Sequence, residues 1–394
     1  MLIIGGGIAG ASTAYHLALH GHDVTLLERG DIASAASGVN AGAIGALGWG
    51  HTPDLEAHLT MGSLEIFQSL QLDLGYDIEF RQSGSLQVIH TAAQYAYTRD
   101  RVQTLQAEGK RVEFLSSREA RGLEPELDPD LLGCMYMPLR AQADPKKATR
   151  ALAAAASREG ARMRTQYAVT SVTQRADDLY VVEAEHDTFI ATHLIIAAGA
   201  WCAEVGVWLG VRIPIIPVRG QMWATEPLPP RVFQTIASAQ STMDWQHEPG
   251  NDADTPPQLT HRGPTRRTRH LYGRQTRDGS IIFGGDRQLV GYNTTPDPEG
   301  IEVNHTHAAE ALPFLAFEAI TRTWAGLMPF SLDGAPLIGA IPQRRHLHIV
   351  SGLASSGFGR GPMAGKLLAE ALHTGTPLAV LAEADPARCV TTLG

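Results

Sequence analysis

Cysteine is scarce in this 394-residue chain: Cys134, Cys202 and Cys389 are widely spaced and odd in number. No disulfide framework or zinc pattern can be built from them, and a reducing, cytoplasmic compartment is expected. No apolar run approaches the roughly eighteen residues needed to span a bilayer, so no transmembrane segment is expected. The apolar N-terminus has no basic region ahead of it and runs straight into glycines, which marks a buried strand rather than a signal peptide. Basic charge is in deficit, with 32 Lys and Arg against 41 Asp and Glu and a net charge of −9, which disfavours nucleic acid as a partner. The basic run RGPTRRTRH (262–270) has no interleaved aromatics and reads as a solvated loop. No His/Asp/Ser constellation and no metal-ligand spacing stand out. What remains, 44% hydrophobic and 19% charged residues, is a globular chain long enough for two domains.

Glycine, by contrast, is concentrated in two places. MLIIGGGIAGASTAYHLALHGHDVTLLER (1–29) reads as strand, turn, helix and strand. Gly5 permits the tight turn, Gly7 lets the backbone approach a pyrophosphate, and Gly10 allows close helix–strand packing. The helix N-terminus then faces phosphate with its partial positive charge. Glu28, which ends the second strand, is placed to accept hydrogen bonds from a ribose diol, favouring FAD or NAD over NADP. After it comes GDIASAASGVNAGAIGALGWG (30–50), small residues without periodicity, suited to lying along an extended cofactor. The second concentration, SSGFGRGPMAGKLLAEAL (355–372), is a late glycine-rich turn leading into a helix expected to begin near Gly361-Pro362. Two such turns suggest one elongated ligand held at both ends.

Gly5–Gly10, Glu28 and ASGVNAG (36–42) resemble the N-terminal signature of the FAD-dependent amine and amino-acid oxidase family, which includes D-amino-acid oxidase, glycine oxidase, sarcosine oxidase and cyanide-forming glycine dehydrogenases. HLIIAAGAWC (193–202), RTWAGLMPFSLDGAPLIG (322–339) and LHIVSGLASSGFGRGPMAGKLLAEAL (347–372) follow in family order. The resemblance implies an α/β fold: a Rossmann-like FAD-binding domain with a second, antiparallel-sheet α+β substrate domain. It implies FAD contacts from Gly5, Gly7, Ile8, Ala9, Gly10, Glu28, Arg29, Ser37, Asn40, Ala41 and Gly42. Val169, Ala198, Gly199, Trp201, Gly326, Ser356, Gly357, Phe358 and Gly359 complete that set. The late turn would meet the isoalloxazine ring. Covalent attachment is not expected, because Asn40 stands near where a linking His would fall and 323–331 holds no Cys.

The FAD-binding part is expected to be discontinuous, from 1–80, 145–215 and 320–394, with the substrate domain from 81–144 and 216–319. GSLQVI (84–89), RGQMWATE (219–226), HLYGR (270–274) and SIIFGGD (280–286) read as strands of the latter. ADPKKATRALAAAASREGARM (143–163) reads as a helix capped by Asp144 with Pro145 at its first position. The polar, proline-rich stretch 244–269 is read as a flexible loop rather than a lid.

Family amino-acid oxidases hold the substrate carboxylate through a tyrosine and an arginine. Tyr272 matches the tyrosine, but Met328 stands where glycine oxidases place the arginine. Arg274, on the same strand face as Tyr272, is the expected replacement, with Arg360 second. His51 and Met222 are further candidates for the pocket. The reaction implied is hydride transfer from an amine or amino acid to flavin N5, giving an imine that hydrolyses, with O2, a quinone or a partner subunit as electron acceptor. In sarcosine oxidases a lysine over the ring often assists the reaction with O2; this chain has only Lys110, Lys146, Lys147 and Lys366, none in a ring-facing motif, so the resemblance implies a dehydrogenase. Homo- or hetero-oligomers, and peripheral membrane association if a quinone is the acceptor, are left open. A FAD-dependent 2-hydroxy-acid oxidoreductase and a FAD-holding subunit inactive without its partner are the alternative readings.

Overall fold

A computed structural model describes all residues except 46, 48–52, 247–253, 263–264, 267–269, 343 and 394. Two sheets organise it. The first has six strands in the order Leu337–Ala340, Leu347–Ser351, Leu194–Ile196, Leu2–Ile4, Thr25–Glu28 and Arg162–Thr165. All are parallel except the edge strand Leu337–Ala340. Its central strands, both Leu-Ile-Ile, are buried along their whole length, as expected when both faces of a parallel sheet are covered. One face carries the helices Ile8–Leu19 and Gly357–Thr374; their side chains pack with Ile3, Leu26 and Ile195 in one core. Gly365 lets these helices touch, since a Cβ there would sit 2.7 Å from the Ala9 carbonyl oxygen. The other face is closed by the helix Cys202–Trp208 and the three-stranded sheet 169–191.

The helix Pro145–Arg158 forms as its sequence signals indicate. Asp144 caps it by accepting from the Lys147 N–H at 2.7 Å, and Pro145 occupies the first position.

The second sheet has eight strands: Arg322–Ser331, Ile215–Pro227, Ser280–Gly284, Tyr272–Gln275, Thr235–Ser238, Ser85–Ile89, Gly133–Met137 and Glu113–Leu115. It is antiparallel except between Thr235–Ser238 and Ser85–Ile89. Here one boundary is corrected. The strand Arg322–Ser331, expected with the dinucleotide-binding segments, pairs from Ile215↔Ser331 to Ala224↔Arg322 and so belongs to the large sheet. The flexible reading of 244–269 is also corrected for its described part. Asp244 lies in the helix Ala239–Gln246, and Leu259 and Thr260 are buried, Thr260 bonding to Arg287. The remainder of that stretch includes residues outside those described.

Histidines gather at the N-terminal edge of the first sheet, opposite the glycine turns. His193 lies 4.4 Å from His346 and 5.7 Å from His348, ring centre to ring centre, and His22 lies 5.5 Å from His373. Burial, then the neighbouring rings, pulls His348 from 6.5 to about 4. A base depressed in the folded state is protonated more readily in the unfolded chain, so the stability it permits is present above pH 6.5 and lost towards pH 4. Thermal melts are expected to show Tm falling across that window. His348→Phe should flatten the fall by up to about 2–3 kcal/mol; an unchanged Tm–pH slope would contradict the assignment.

Candidate active site

The site forms at the C-terminal edge of the parallel sheet, where crossovers leave a crevice. Gly5 has φ +116°, and a Cβ there would lie 2.3 Å from the Ala197 carbonyl oxygen. Gly10 is equally constrained, because its Cβ would fall 2.1 Å from the Gly5 carbonyl oxygen. The helix therefore starts hard against the strand end. Its first N–H, on Ile8, donates to Ser37 Oγ at 2.9 Å. Glu28 accepts from the N–H groups of Gly6 at 2.7 Å and Gly30 at 2.8 Å, which fixes its carboxylate beside the turn. Each oxygen keeps a lone pair for a ribose hydroxyl.

One cavity of about 380 Å³ is walled by both glycine-rich turns. Gly5, Gly7, Ile8, Ala9, Glu28, Arg29, Ser37 and Asn40 line it, as do Val169, Ala198, Gly199 and Trp201. Gly326, Ser356, Gly357, Phe358 and Gly359 line it from the late motifs. Arg29 lies with its guanidinium carbon 3.7 Å from the Trp201 ring centre, and Trp201 stacks on Tyr292 at 5.8 Å. These residues fit a dinucleotide whose pyrophosphate meets the first helix and whose other end meets the second.

Three residues expected to touch FAD stand apart from the cavity wall. Gly10, Ala41 and Gly42 do not line the cavity. Gly10 serves the turn, the Ala41 carbonyl accepts from Arg274 Nε, and Gly42 (φ +74°) lets the chain pass Ala143, whose oxygen a Cβ would approach to 1.9 Å. The late helix also begins earlier than expected, at Gly357 rather than near Gly361-Pro362. Pro362 lies in its second turn, where its carbonyl accepts from Ser12 Oγ at 2.6 Å.

Among the substrate candidates, Tyr272 and Met222 line the cavity beneath the large sheet. Both lie opposite Gly284 in register, where a Cβ would meet the Met222 sulfur at 2.3 Å. Burial pushes the Tyr272 phenol up, which keeps it protonated and able to donate at neutral pH. The expectation for Arg274 is corrected: it is buried away from the cavity and donates to the Ala41 and Ala143 carbonyls, the latter at 3.1 Å. It clamps the small-residue segment to the sheet. Arg360 does line the cavity, but its Nη1 lies 2.8 Å from Glu56 Oε1 in a buried ion pair. His51 lies outside the described residues. Met328 lines the cavity.

Several cavity residues escaped the sequence reading. Arg140 is pulled down to about 10, first by burial and then by Arg360, and remains protonated at neutral pH. Gln87 donates to Thr242 Oγ1 at 2.6 Å, His270 Nε2 lies 3.3 Å from Asp244 Oδ2, and Gln221 donates to Asp286 Oδ2. Arg287 is buried and lines the cavity with them. None belongs to a cofactor motif; Asp286 ends the strand-like run 280–286 and Arg287 follows it. No group of three or more potential metal ligands occurs among the described residues, and no helix among them is long and apolar enough to cross a membrane.

Residues 1–371 match the family model described as FAD dependent oxidoreductase (DAO). The chain is similar to the glycine oxidase of Geobacillus kaustophilus, 28% identical over 385 residues that cover 93% of this chain and 91% of the relative. It is also similar to mitochondrial dimethylglycine dehydrogenase of Mus musculus, 26% identical over 98% of this chain but only 44% of that longer protein. The solved glycine oxidase from Geobacillus kaustophilus shares the fold, with a TM-score of 0.83, 24% identity and 98% of each chain covered.

Proposed function

The chain belongs to the DAO family of FAD-dependent oxidoreductases, and from that premise we propose that it oxidises the CH–NH bond of an amino acid. The observation that carries this reading is the cavity itself. It is shared by the two glycine turns, and it holds Tyr272 together with Arg140, Arg287 and Arg360. Guanidinium groups within a site that also takes the flavin suit a substrate bearing a carboxylate rather than a plain amine.

Bound FAD would supply the acceptor for the hydride, which carries both electrons and one proton, while the second proton leaves the nitrogen to solvent. The protein orients the α-carbon, excludes water and provides the electrostatic setting. The Tyr272 phenol, which lines the cavity, would donate a hydrogen bond to the substrate. The N-terminus of the helix Gly357–Thr374 contributes a partial positive charge to the far wall, typically worth about 0.3–1 kcal/mol to a nearby anion and up to about 2 when partly buried. Loss of two electrons and two protons turns the amine into an imine, and water then releases the keto acid and ammonia or an amine.

Among the described residues no lysine lines the cavity, which supports a dehydrogenase rather than a direct reaction with O2. FAD is expected to be held non-covalently; acid precipitation is expected to leave the flavin in the supernatant. The reading is tested by anaerobic titration of the holoenzyme with glycine, sarcosine, proline and D- and L-amino acids, following bleaching of the flavin band. An amino acid is expected to bleach it, and admission of air then separates oxidase from dehydrogenase. Bleaching by 2-hydroxy acids alone would overturn the amine reading. No bleaching by either class would point to a subunit that needs its partner.

A further inference from the structure

Met328 stands where the family resemblance implies an arginine, and the fold brings another guanidinium, that of Arg287, to the same cavity. Gly285 passes so close to the neighbouring strand that a Cβ would sit 1.8 Å from the His270 carbonyl oxygen. The chain then pairs back at the bridge Arg219↔Gln288, holding 286–288 extended. Alternation along an extended run sends Asp286 and Gln288 one way and Arg287 the other. The partners agree. Asp286 accepts from Gln221 and Gln288 from Arg219, whereas Arg287 turns to the segment 258–260. Its N–H donates to Thr260 Oγ1 at 2.7 Å, its carbonyl accepts from the Thr260 N–H at 3.1 Å, and its Nη1 donates to the Gln258 carbonyl at 3.2 Å.

Met328 reaches that segment from the other side. It packs in one apolar cluster with Leu259 and Val218, and a Cβ on Gly220 would meet its Cε at 2.9 Å and the Asp286 carbonyl oxygen at 3.5 Å. Arg287 and Met328 therefore flank the same short segment, and both line the cavity. The other three arginines of the cavity sit elsewhere, Arg29 over the Trp201 ring. Arg360 is held by Glu56, and Arg140 Nη2 lies 3.9 Å from where a Cβ on Gly45 would be.

Resting on the amino-acid reading above, we propose that Arg287, paired with Tyr272, grips the substrate carboxylate in the place vacated by Met328. Arg287 and Tyr272 line the same cavity as Met328, consistent with one shared anion site. A guanidinium offers a carboxylate two parallel N–H donors, which fixes the α-carbon as well as binding it.

The test titrates the oxidised holoenzyme with benzoate, a carboxylate it cannot dehydrogenate, following the perturbation of the flavin spectrum. Wild type is expected to bind it. Arg287→Gln should weaken binding about 30- to 100-fold, and the same variant should raise KM for the amino acid more than it lowers kcat. In the Arg287→Met, Met328→Arg double variant much of the affinity should return. Should Arg287→Gln fail to retain flavin, Arg287→Lys carries the test, with an expected loss of about tenfold because charge survives but the paired donors do not. Benzoate affinity unchanged in a flavin-bearing Arg287 variant, or no benzoate binding by wild type, would overturn the proposal. Benzoate bound through Arg287 with no amine able to bleach the flavin would overturn the amine reading alone.

Discussion

Gly10→Ala is expected to give a protein purified with at least tenfold less FAD per chain and a stability reduced by about 3 kcal/mol. The added Cβ would lie 2.1 Å from the Gly5 carbonyl oxygen and 3.1 Å from Ala197 Cβ. Backbone oxygen cannot rotate away as a flexible side chain can, so the helix Ile8–Leu19 must back off the strand. Overpacking of this kind typically costs about 1–3 kcal/mol. The same shift moves the helix N-terminus from the place where it meets pyrophosphate. Gly122→Ala is the control. It lies in the helix Ser117–Leu123 with nothing within 4 Å of the new methyl, and should be neutral or slightly stabilising. Flavin absorbance per chain and urea unfolding read both effects. Wild-type flavin content in Gly10→Ala would mean that the turn tolerates the contact.

Glu56→Ala should be comparably severe, for an electrostatic reason. Glu56 and Arg360 have side chains only 6–7% exposed, with their charged atoms 2.8 Å apart. Removing the carboxylate leaves the Arg360 guanidinium without this counter-charge and next to Arg140, whose charge it opposes. Breaking a buried pair from one side costs about 3–5 kcal/mol, whereas replacing both partners with apolar groups can be nearly neutral. The Glu56→Ala, Arg360→Met double variant is therefore expected to recover most of the loss in urea unfolding. A single variant within about 1 kcal/mol of wild type would show that water reaches the pair.

The features that sequence made legible were those whose cause is local. The spacing of Gly5, Gly7 and Gly10 follows from the backbone of one turn, and the acid at Glu28 from the length of one helix and strand. The cap at Asp144 and Pro145 needs only four consecutive residues. The four motifs in family order pointed to the family without any knowledge of contacts. Helix starts were less legible where two local rules compete: Pro362 suggested a first position, yet the helix extends ahead of it to Gly357, and the Pro362 carbonyl is bonded by Ser12 from 350 residues away.

Side-chain destination was the least legible property. Arg274 and Tyr272 share a strand face, but two residues of rise carry the arginine past the cavity to the Ala41 and Ala143 carbonyls. Arg287 has no motif; its direction depends on the bridge between Arg219 and Gln288 and on Thr260. The strand Arg322–Ser331 reads like part of the flavin motifs but spends its ten backbone registers on Ile215–Ala224. Residue order along the chain thus determined the dinucleotide turns, because these rest on short-range backbone geometry, and its four motifs carried the resemblance that named FAD and the broad chemistry. Which arginines reach the cavity was decided only in the folded state, because strand pairing and burial between distant segments set where each long side chain can find a partner.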